Sequence, residues 1–599
     1  MTHISRRRLL QAASVAGAAA VSLGALKSAP TAHAAPRQAG PGRRRVAVFG
    51  AGPGGLSAAF ELSSRGFDVD VYERHPMVGG KARSYVVPGT GSGGREDLPA
   101  EFGWHGMWGT YQHFPETLSR VPTPRGTAND NLILLPAGTP GVYGSLAESF
   151  FRMGPGGLTT PQILADEIGR FLGVARNVKP QDIPVIASKV AALATSGRSR
   201  QFGQLEHITL NDYIGPGMPE GVNDLMRAIN SQVTMPDRLN ARNAATGNIH
   251  LFSGYLGTKG LGRGARDVLG MADGPINSCV FDPMKWAAER NGARFHMNHR
   301  LTALQTSGGE ISGATVVAHD GRSIAVDADW YVLAVPFDKA ADLMSPQILA
   351  LDPSLEGIKT MTQYENWLGC MQLYTKERFE GAPLGGTNEW GLLWAAYSQM
   401  WSGPKFKDRF GDGNVTDYLT TDCVDWHRPG LLYGKPANLH SKEEYIEEVF
   451  HQFKKYGNFP LEQADLAALE LNPAFYWKDG KMHNDEPDFA NYPGCWAAQP
   501  EAVTKVPNLF LASAYVRSIA GVESMEAANE AARQSVNAII DRSGVDADKC
   551  WLDSVDPPPA LAALWQDDDN RYNAGLPNRF DVVAPYLGGK TDPTPWPGY

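Results

Sequence analysis

The stretch "RRRVAVFGAGPGGLSAAF", Arg43 to Phe60, decides how the rest of this chain is read. Val46 to Gly50 is a short apolar run suited to a buried strand, and "LSAAFELSSRG" beyond the glycines has helical spacing. Gly50-Ala51-Gly52-Pro53-Gly54-Gly55 therefore lies between a strand and a helix, the context that a dinucleotide-binding loop requires. Gly50 permits a tight turn, Gly52 lets a pyrophosphate approach the backbone, and Gly55 lets helix and strand pack closely. The helix N-terminus then faces the phosphates. "FDVDVYE" follows as a second alternating strand ending in Glu73, a carboxylate placed to accept from ribose hydroxyls and to repel a 2′-phosphate.

After Glu73 comes "GGKARS", Gly79 to Ser84: another close backbone approach at Gly79-Gly80, and a cation, Arg83, able to pair with phosphate. The run Gly50, Gly52, Gly55, Ala59, Leu62, Gly66, Val69, Val71, Glu73, Gly79, Gly80 resembles the FAD-binding segment of the flavin amine oxidase and phytoene desaturase superfamily. "EFGWHGMWGTYQHFPETLSRVP", "DWHRPGLLYGKP" and "SMEAANEAARQSVNAI" most resemble its bacterial branch near the phytoene and hydroxysqualene desaturase-like flavoproteins. The resemblance implies FAD as cofactor. It also implies an α/β fold: a Rossmann-type, glutathione-reductase-like FAD domain built from discontinuous segments, with an α+β substrate domain beside it.

The expected division is 46–121, 265–336 and 500–545 for the FAD domain, 122–264 and 337–499 for the substrate domain, and 546–599 for a surface-wrapping or partly disordered tail without periodicity. Asn291 to Pro336 reads as short alternating strands with Gly turns, and by resemblance Leu301 sits where a backbone contact to adenine lies. "NLFLAS" reads as a buried strand; from Met525, Ala528, Ala532, Val536 and Ile539/Ile540 recur at helical spacing. The resemblance places the N-terminus of that helix, at Met525, against the flavin ring, where its dipole would stabilise reduced flavin. The cofactor-binding expectation is thus Gly50, Gly52, Pro53, Gly54, Gly55, Glu73, Gly79, Gly80, Arg83, Leu301 and Met525. One departure stands out: the superfamily carries Gly-Asp after the last strand, and here the positions read Ser513-Ala514.

The amino terminus has its own pattern. Ser5-Arg6-Arg7-Arg8-Leu9-Leu10-Gln11 precedes a mildly apolar Ala/Gly run and then Ala32-His33-Ala34. Residues 1–34 resemble a twin-arginine signal peptide, with 35–45 as linker, which implies export to the periplasm, envelope or exterior. That route carries folded proteins, as a flavoprotein loaded where FAD is made would need. Removing residues 1–34 would take away Arg6, Arg7, Arg8 and Lys27 and no acid.

The 599 residues carry a formal charge of −9 with no basic block beyond the first residues and Arg43-Arg44-Arg45, which argues against a nucleic-acid partner. Five scattered cysteines, without C-x-x-C spacing, make no disulfide scaffold. HExxH, G-x-S-x-G and Walker motifs are missing. His296 and His299, three apart in an expected strand, should point to opposite faces, and no metal site is expected.

The remaining chemistry is the flavin's: hydride removal from carbon, then reoxidation by oxygen or a quinone-like acceptor. The resemblance favours a desaturase acting on a hydrophobic, isoprenoid-like small molecule, with room for peripheral membrane contact. An exported amine or amino-acid oxidase releasing hydrogen peroxide is the alternative, with Arg517 and Arg428 as conceivable carboxylate clamps. A non-redox flavoprotein, isomerase or binding protein, is the third. Trp104, His105 and Trp108 follow Glu101-Phe102-Gly103 in a region the superfamily places near the flavin; a structural histidine is the alternative to an acid–base role for His105. Trp390, Trp394 and Trp401 are candidates for pocket lining or for core packing. No catalytic side chain is assigned.

Overall fold

The computed structural model describes residues 44–108, 111–136, 179–215, 217–219, 237–244, 267–381, 384–386, 390–457, 459–553, 557 and 561–588. The expected signal peptide and nearly all of the linker lie outside the described residues, as do large parts of 122–264.

β1 (Arg45–Phe49), α1 (Pro53–Ser63) and β2 (Asp68–Glu73) form where the opening stretch places them. β3 (Arg294–Met297), β4 (Trp330–Leu333) and β5 (Leu509–Leu511) complete a five-stranded sheet in the order β3-β2-β1-β4-β5, every pair parallel. This is the strand order of doubly wound dinucleotide-binding sheets. Strands buried on both faces read as continuous apolar runs. Val46 and Val48 join one core with Leu56, Leu62 and Val536, while Ala47 and Phe49 join another with Phe337, Ile348 and Ile358. α1 lies between α2 (Met525–Ser543) and the helix Asp282–Arg290, so it is buried almost all round. An antiparallel meander, His299–Ser307, Glu310–Ala318 and Ser323–Val326, leads into β4.

A second sheet has the order Leu384–Gly386, Leu393–Ala395, Asp417–Cys423, Gly369–Thr375, Leu466–Leu471, all antiparallel. Alternation along its central strands gives two unlike faces. Met371, Leu373, Leu419 and Cys423 enter an aromatic core with Trp390, Trp394, Trp426 and Phe453. Gln372, Tyr374, Tyr418, Thr420 and Asp422 face the other way, towards the segment that follows the strand Leu98–Glu101.

Several expectations change. Residues 337–361, placed in the substrate domain by sequence, pack on the parallel sheet, because that sheet has a second apolar face to cover. Leu132–Pro136 pairs with Asp267–Ala272, which in turn pairs with Met107–Trp108, so the divisions at 121/122 and 264/265 cut through one small sheet. His296 and His299 do not point apart: Asn298 at φ 59° breaks the strand between them, and their rings approach to 5.9 Å, with His296 stacked on Tyr72 at 4.6 Å. Among the described residues no cluster of three or more metal-ligating side chains occurs. The tail contains a helix, Ala562–Asn573, whose Trp565 and Tyr572 are buried and whose Asp568 forms a buried ion pair with Arg200 at 2.9 Å. No helix among the described residues is long and apolar enough to cross a membrane.

Candidate functional site

A cavity of about 740 Å³ runs from the glycine loop to the polar face of the second sheet. At the loop end its wall is backbone. Gly50 has φ 104°, and a Cβ there would lie 2.6 Å from the Ala334 carbonyl oxygen. Cβ atoms on Gly54 and Gly55 would lie 1.9 Å from the carbonyl oxygens of Ala512 and Gly50. α1 can therefore sit against β1 and β5 only with glycine at its first turn. Gly52 is its N-cap, no side chain caps it, and Pro53 has no N–H to leave bare. Its first-turn N–H groups are left for an anionic ligand. Glu73 accepts from the backbone N–H groups of Ala51 (2.7 Å) and His75 (2.8 Å), which fixes the carboxylate at the cavity wall.

Of the expected cofactor residues, Gly50, Gly52, Pro53, Gly54, Glu73, Gly80, Leu301 and Met525 line this cavity. Gly55 and Gly79 stand behind the wall, Gly79 with φ 106° beside Arg83. Arg83 departs from its expected role. Its two terminal nitrogens bind Glu486 at 2.8 and 2.9 Å, its guanidinium lies 4.1 Å from the Phe102 ring centroid, and it does not line the cavity. Burial alone would raise the Glu486 carboxyl; hydrogen bonds from His75 and Arg83 and the charges of Arg83 and Arg74 overcome this and hold it below the usual range.

Arg74, Arg300 and Lys339 line the cavity, and so does Lys81, a cation that nothing in the sequence singles out. Its Nζ lies 2.8 Å from Asp488 and 2.5 Å from Glu523, just before α2. Burial raises the Glu523 carboxyl, and Lys81 only partly offsets it. At the α2 N-terminus the Ser524 hydroxyl accepts from the Ala527 N–H, and Met525 faces the cavity. Glu526 accepts from the N–H groups of Gln112, His113 and Phe114, tying that segment to the helix. Ser513 and Ala514 both line the cavity, so the departure falls where the resemblance would place a cofactor contact.

At the far end the segment Glu101 to His105 is strapped across the second sheet. Gln372 donates to the Glu101 carbonyl (2.7 Å), the Tyr418 hydroxyl accepts from the Glu101 N–H (2.9 Å), and Asn472 donates to the Phe102 carbonyl (2.7 Å). Asp422 accepts from the Trp104 N–H at 2.8 Å and the Tyr397 hydroxyl accepts from the His105 N–H at 3.1 Å. Trp104, His105, Leu368, Leu393 and Asp422 line this end. Burial lowers the His105 imidazole to about 4, so it is neutral at physiological pH. Burial also pushes the Glu101 and Asp422 carboxyls well above the usual carboxylate range.

Trp390 and Trp394 belong to the aromatic core, and Trp401 packs beside Tyr397 and Phe406; none lines the cavity. Arg517 pairs with Glu501 at 2.7 Å and Arg428 with Asp237 at 2.8 Å, and neither reaches the cavity, so neither is a carboxylate clamp there. A glycine cradle, an uncapped helix and a ribose-side carboxylate fit a dinucleotide flavin.

Residues 53–540 match the family described as flavin containing amine oxidoreductase. The chain is 23% identical to a zeta-carotene desaturase of Synechocystis over 525 residues, 83% of this chain and 97% of that one. Its fold is similar to that of an oxidoreductase from Methanosarcina mazei, at TM-score 0.50 and 16% identity, over 81% of this chain and 98% of the other. It is also similar to cyclohexylamine oxidase from Brevibacterium oxydans, at TM-score 0.50 and 14% identity, over 83% and 99%. The chain belongs to the flavin containing amine oxidoreductase family and is an FAD-dependent oxidoreductase.

Proposed function

We propose that this chain is an exported oxidoreductase that dehydrogenates a small molecule with an apolar, isoprenoid-like body, passing electrons to oxygen or a quinone-like acceptor. The observation that carries the reading is the single cavity joining the glycine cradle to a second end lined by Leu368, Leu393, Trp104 and His105. The near full-length similarity to a carotene desaturase supports the apolar body. We assign the parallel sheet to the Rossmann-type, glutathione-reductase-like class on its strand order, and the antiparallel sheet to substrate binding.

Bound FAD supplies the hydride acceptor. The chain's own residues do the rest. Gly50, Gly52 and Gly54 would let a pyrophosphate approach the α1 N-terminus, Glu73 would hold the adenosine ribose, and Leu301 would serve the adenine. The α2 N-terminus at Met525 would stabilise negative charge on a reduced cofactor. Lys81, partly buried between Asp488 and Glu523, would supply a positive charge at that end.

The test is an absorption spectrum of the purified chain, before and after denaturation, then anaerobic reduction and re-aeration. Flavin bands with FAD released on denaturation are expected, with slow reoxidation in air. Rapid reoxidation with peroxide formed from amines would replace the desaturase reading with the oxidase one. A chain that binds no FAD would overturn both. Export is tested by Arg6→Lys with Arg7→Lys, which should leave the protein inside the cell.

A further inference from the structure

The far end of the cavity holds polar atoms that nothing in the protein satisfies. Asp422 is 7% exposed; one carboxyl oxygen accepts from the Trp104 N–H, and the other, Oδ1, has no partner. Asn243, 4% exposed and also on the cavity wall, has neither its amide oxygen nor its amide nitrogen bonded. Buried polar groups are nearly always hydrogen-bonded, and leaving one bare is costly. Both residues line the cavity.

The geometry also fixes a point of convergence. A Cβ built on Gly103 would lie 3.7 Å from Asp422 Oδ1 and 3.7 Å from both Cε1 and Nε2 of His105. Gly103, His105 and Asp422 all line the cavity, so the carboxyl oxygen and the imidazole edge border the same glycine surface. Sequence position gives no hint of this, since Asp422 and Trp104 are 318 residues apart.

We propose that Asp422 is a specificity-determining residue: over Gly103 it hydrogen-bonds an uncharged oxygen, hydroxyl or carbonyl, at one end of an otherwise apolar substrate. The inference rests on the proposed function and deepens it by naming the head group. A pure hydrocarbon would leave Asp422 and Asn243 bare. A carboxylate head would meet Asp422, Asp488 and Glu523 with Lys81 already shared between the last two. An ammonium head brings three N–H donors, and Asp422 Oδ1 offers a single carboxyl oxygen beside Gly103. Burial favours the neutral acid form of Asp422, with no cation among the groups that act on it, and that form donates to a ligand oxygen.

The test titrates the FAD-loaded protein with three ligands of one carbon skeleton, geraniol, geranylamine and the deoxy hydrocarbon, following the flavin absorption spectrum. Geraniol should bind at least about tenfold more tightly than the hydrocarbon, the 1.4 kcal/mol of a modest hydrogen bond. Asp422→Asn, which keeps a neutral donor, should retain that preference, and Asp422→Leu should abolish it. Equal binding of geraniol and hydrocarbon, or a preference that survives Asp422→Leu, overturns the proposal. So does a preference for geranylamine lost in Asp422→Asn, which would make the subsite one for cations. Failure of all three ligands to perturb the flavin also overturns it. Should both Asp422 variants fold, by circular dichroism, yet lose FAD, Asp422 serves the cofactor and the proposal falls. Absence of FAD from the wild-type chain would instead overturn the function it rests on.

Discussion

The two ends of the cavity are built in opposite ways. At the glycine end the walls are largely main chain, Gly50, Gly79 and Gly80 hold left-handed φ values, Glu73 is fixed by two backbone N–H groups, and Arg83 behind the wall pairs with Glu486. At the Asp422 end the walls are side chains from separate segments, and polar atoms are left bare. The first arrangement suits a ligand of fixed shape held by its phosphates. The second suits a ligand whose own polar group completes the hydrogen bonding.

The comparison breaks first at Gly54. Gly54→Val puts side-chain atoms within the Ala512 carbonyl, and overpacking against backbone costs about 3 kcal/mol. FAD occupancy, read from the ratio of flavin to protein absorbance, should fall to background. Arg83→Met comes next. Removing one partner of a buried pair costs about 3–5 kcal/mol, so thermal unfolding should shift down by several degrees. Folded Arg83→Met protein should nonetheless bind FAD with wild-type affinity by isothermal calorimetry, because the guanidinium faces Glu486.

Two smaller effects separate the ends by pH. Glu486 has a lowered carboxyl, so its contribution is fully present above the ordinary glutamate value of about 4.3 and is lost progressively as pH falls from there through the lower folded value. Glu486→Gln should flatten the fall in stability between about pH 5 and pH 3 seen by chemical denaturation. Asp422 has the opposite sign. Its folded value is raised, so no penalty exists below about pH 3.9, and one grows as pH rises above it. Asp422→Asn should therefore raise the melting temperature of the protein by about 1–2 °C at pH 8 and leave it unchanged at pH 4. A destabilised Asn variant at pH 8 would erase the contrast between the ends.

The same contrast explains what the sequence disclosed. Gly50 to Glu73 is legible because strand, turn and helix are set by neighbours in the chain, and because glycine at a left-handed turn has few substitutes. Met525 is legible as the start of a periodic helix. Arg83 misled because charge alone does not say which anion is near, and Glu486 lies 403 residues away. Asp422 was missed for the same reason. A trace of it exists in "DYLTTDC", where Tyr418, Thr420 and Asp422 make one polar face of a wholly buried strand. Residues 337–361 were assigned to the wrong layer because an amphipathic helix does not announce which sheet it covers.

The order in which the parallel sheet is assembled sets when the cofactor can be enclosed. β1 and the glycine loop emerge first, yet β5 and α2, which close the opposite wall, begin at residues 509 and 525. At about 5–20 residues per second, translation separates the two by roughly 25–95 s. Throughout that interval the loop has no back wall at Ala512 and no helix end at Met525. Cofactor capture is therefore a late event in the life of the nascent chain, and a ribosome that stops short of α2 releases a chain whose glycine loop lacks the helix that α1 packs against.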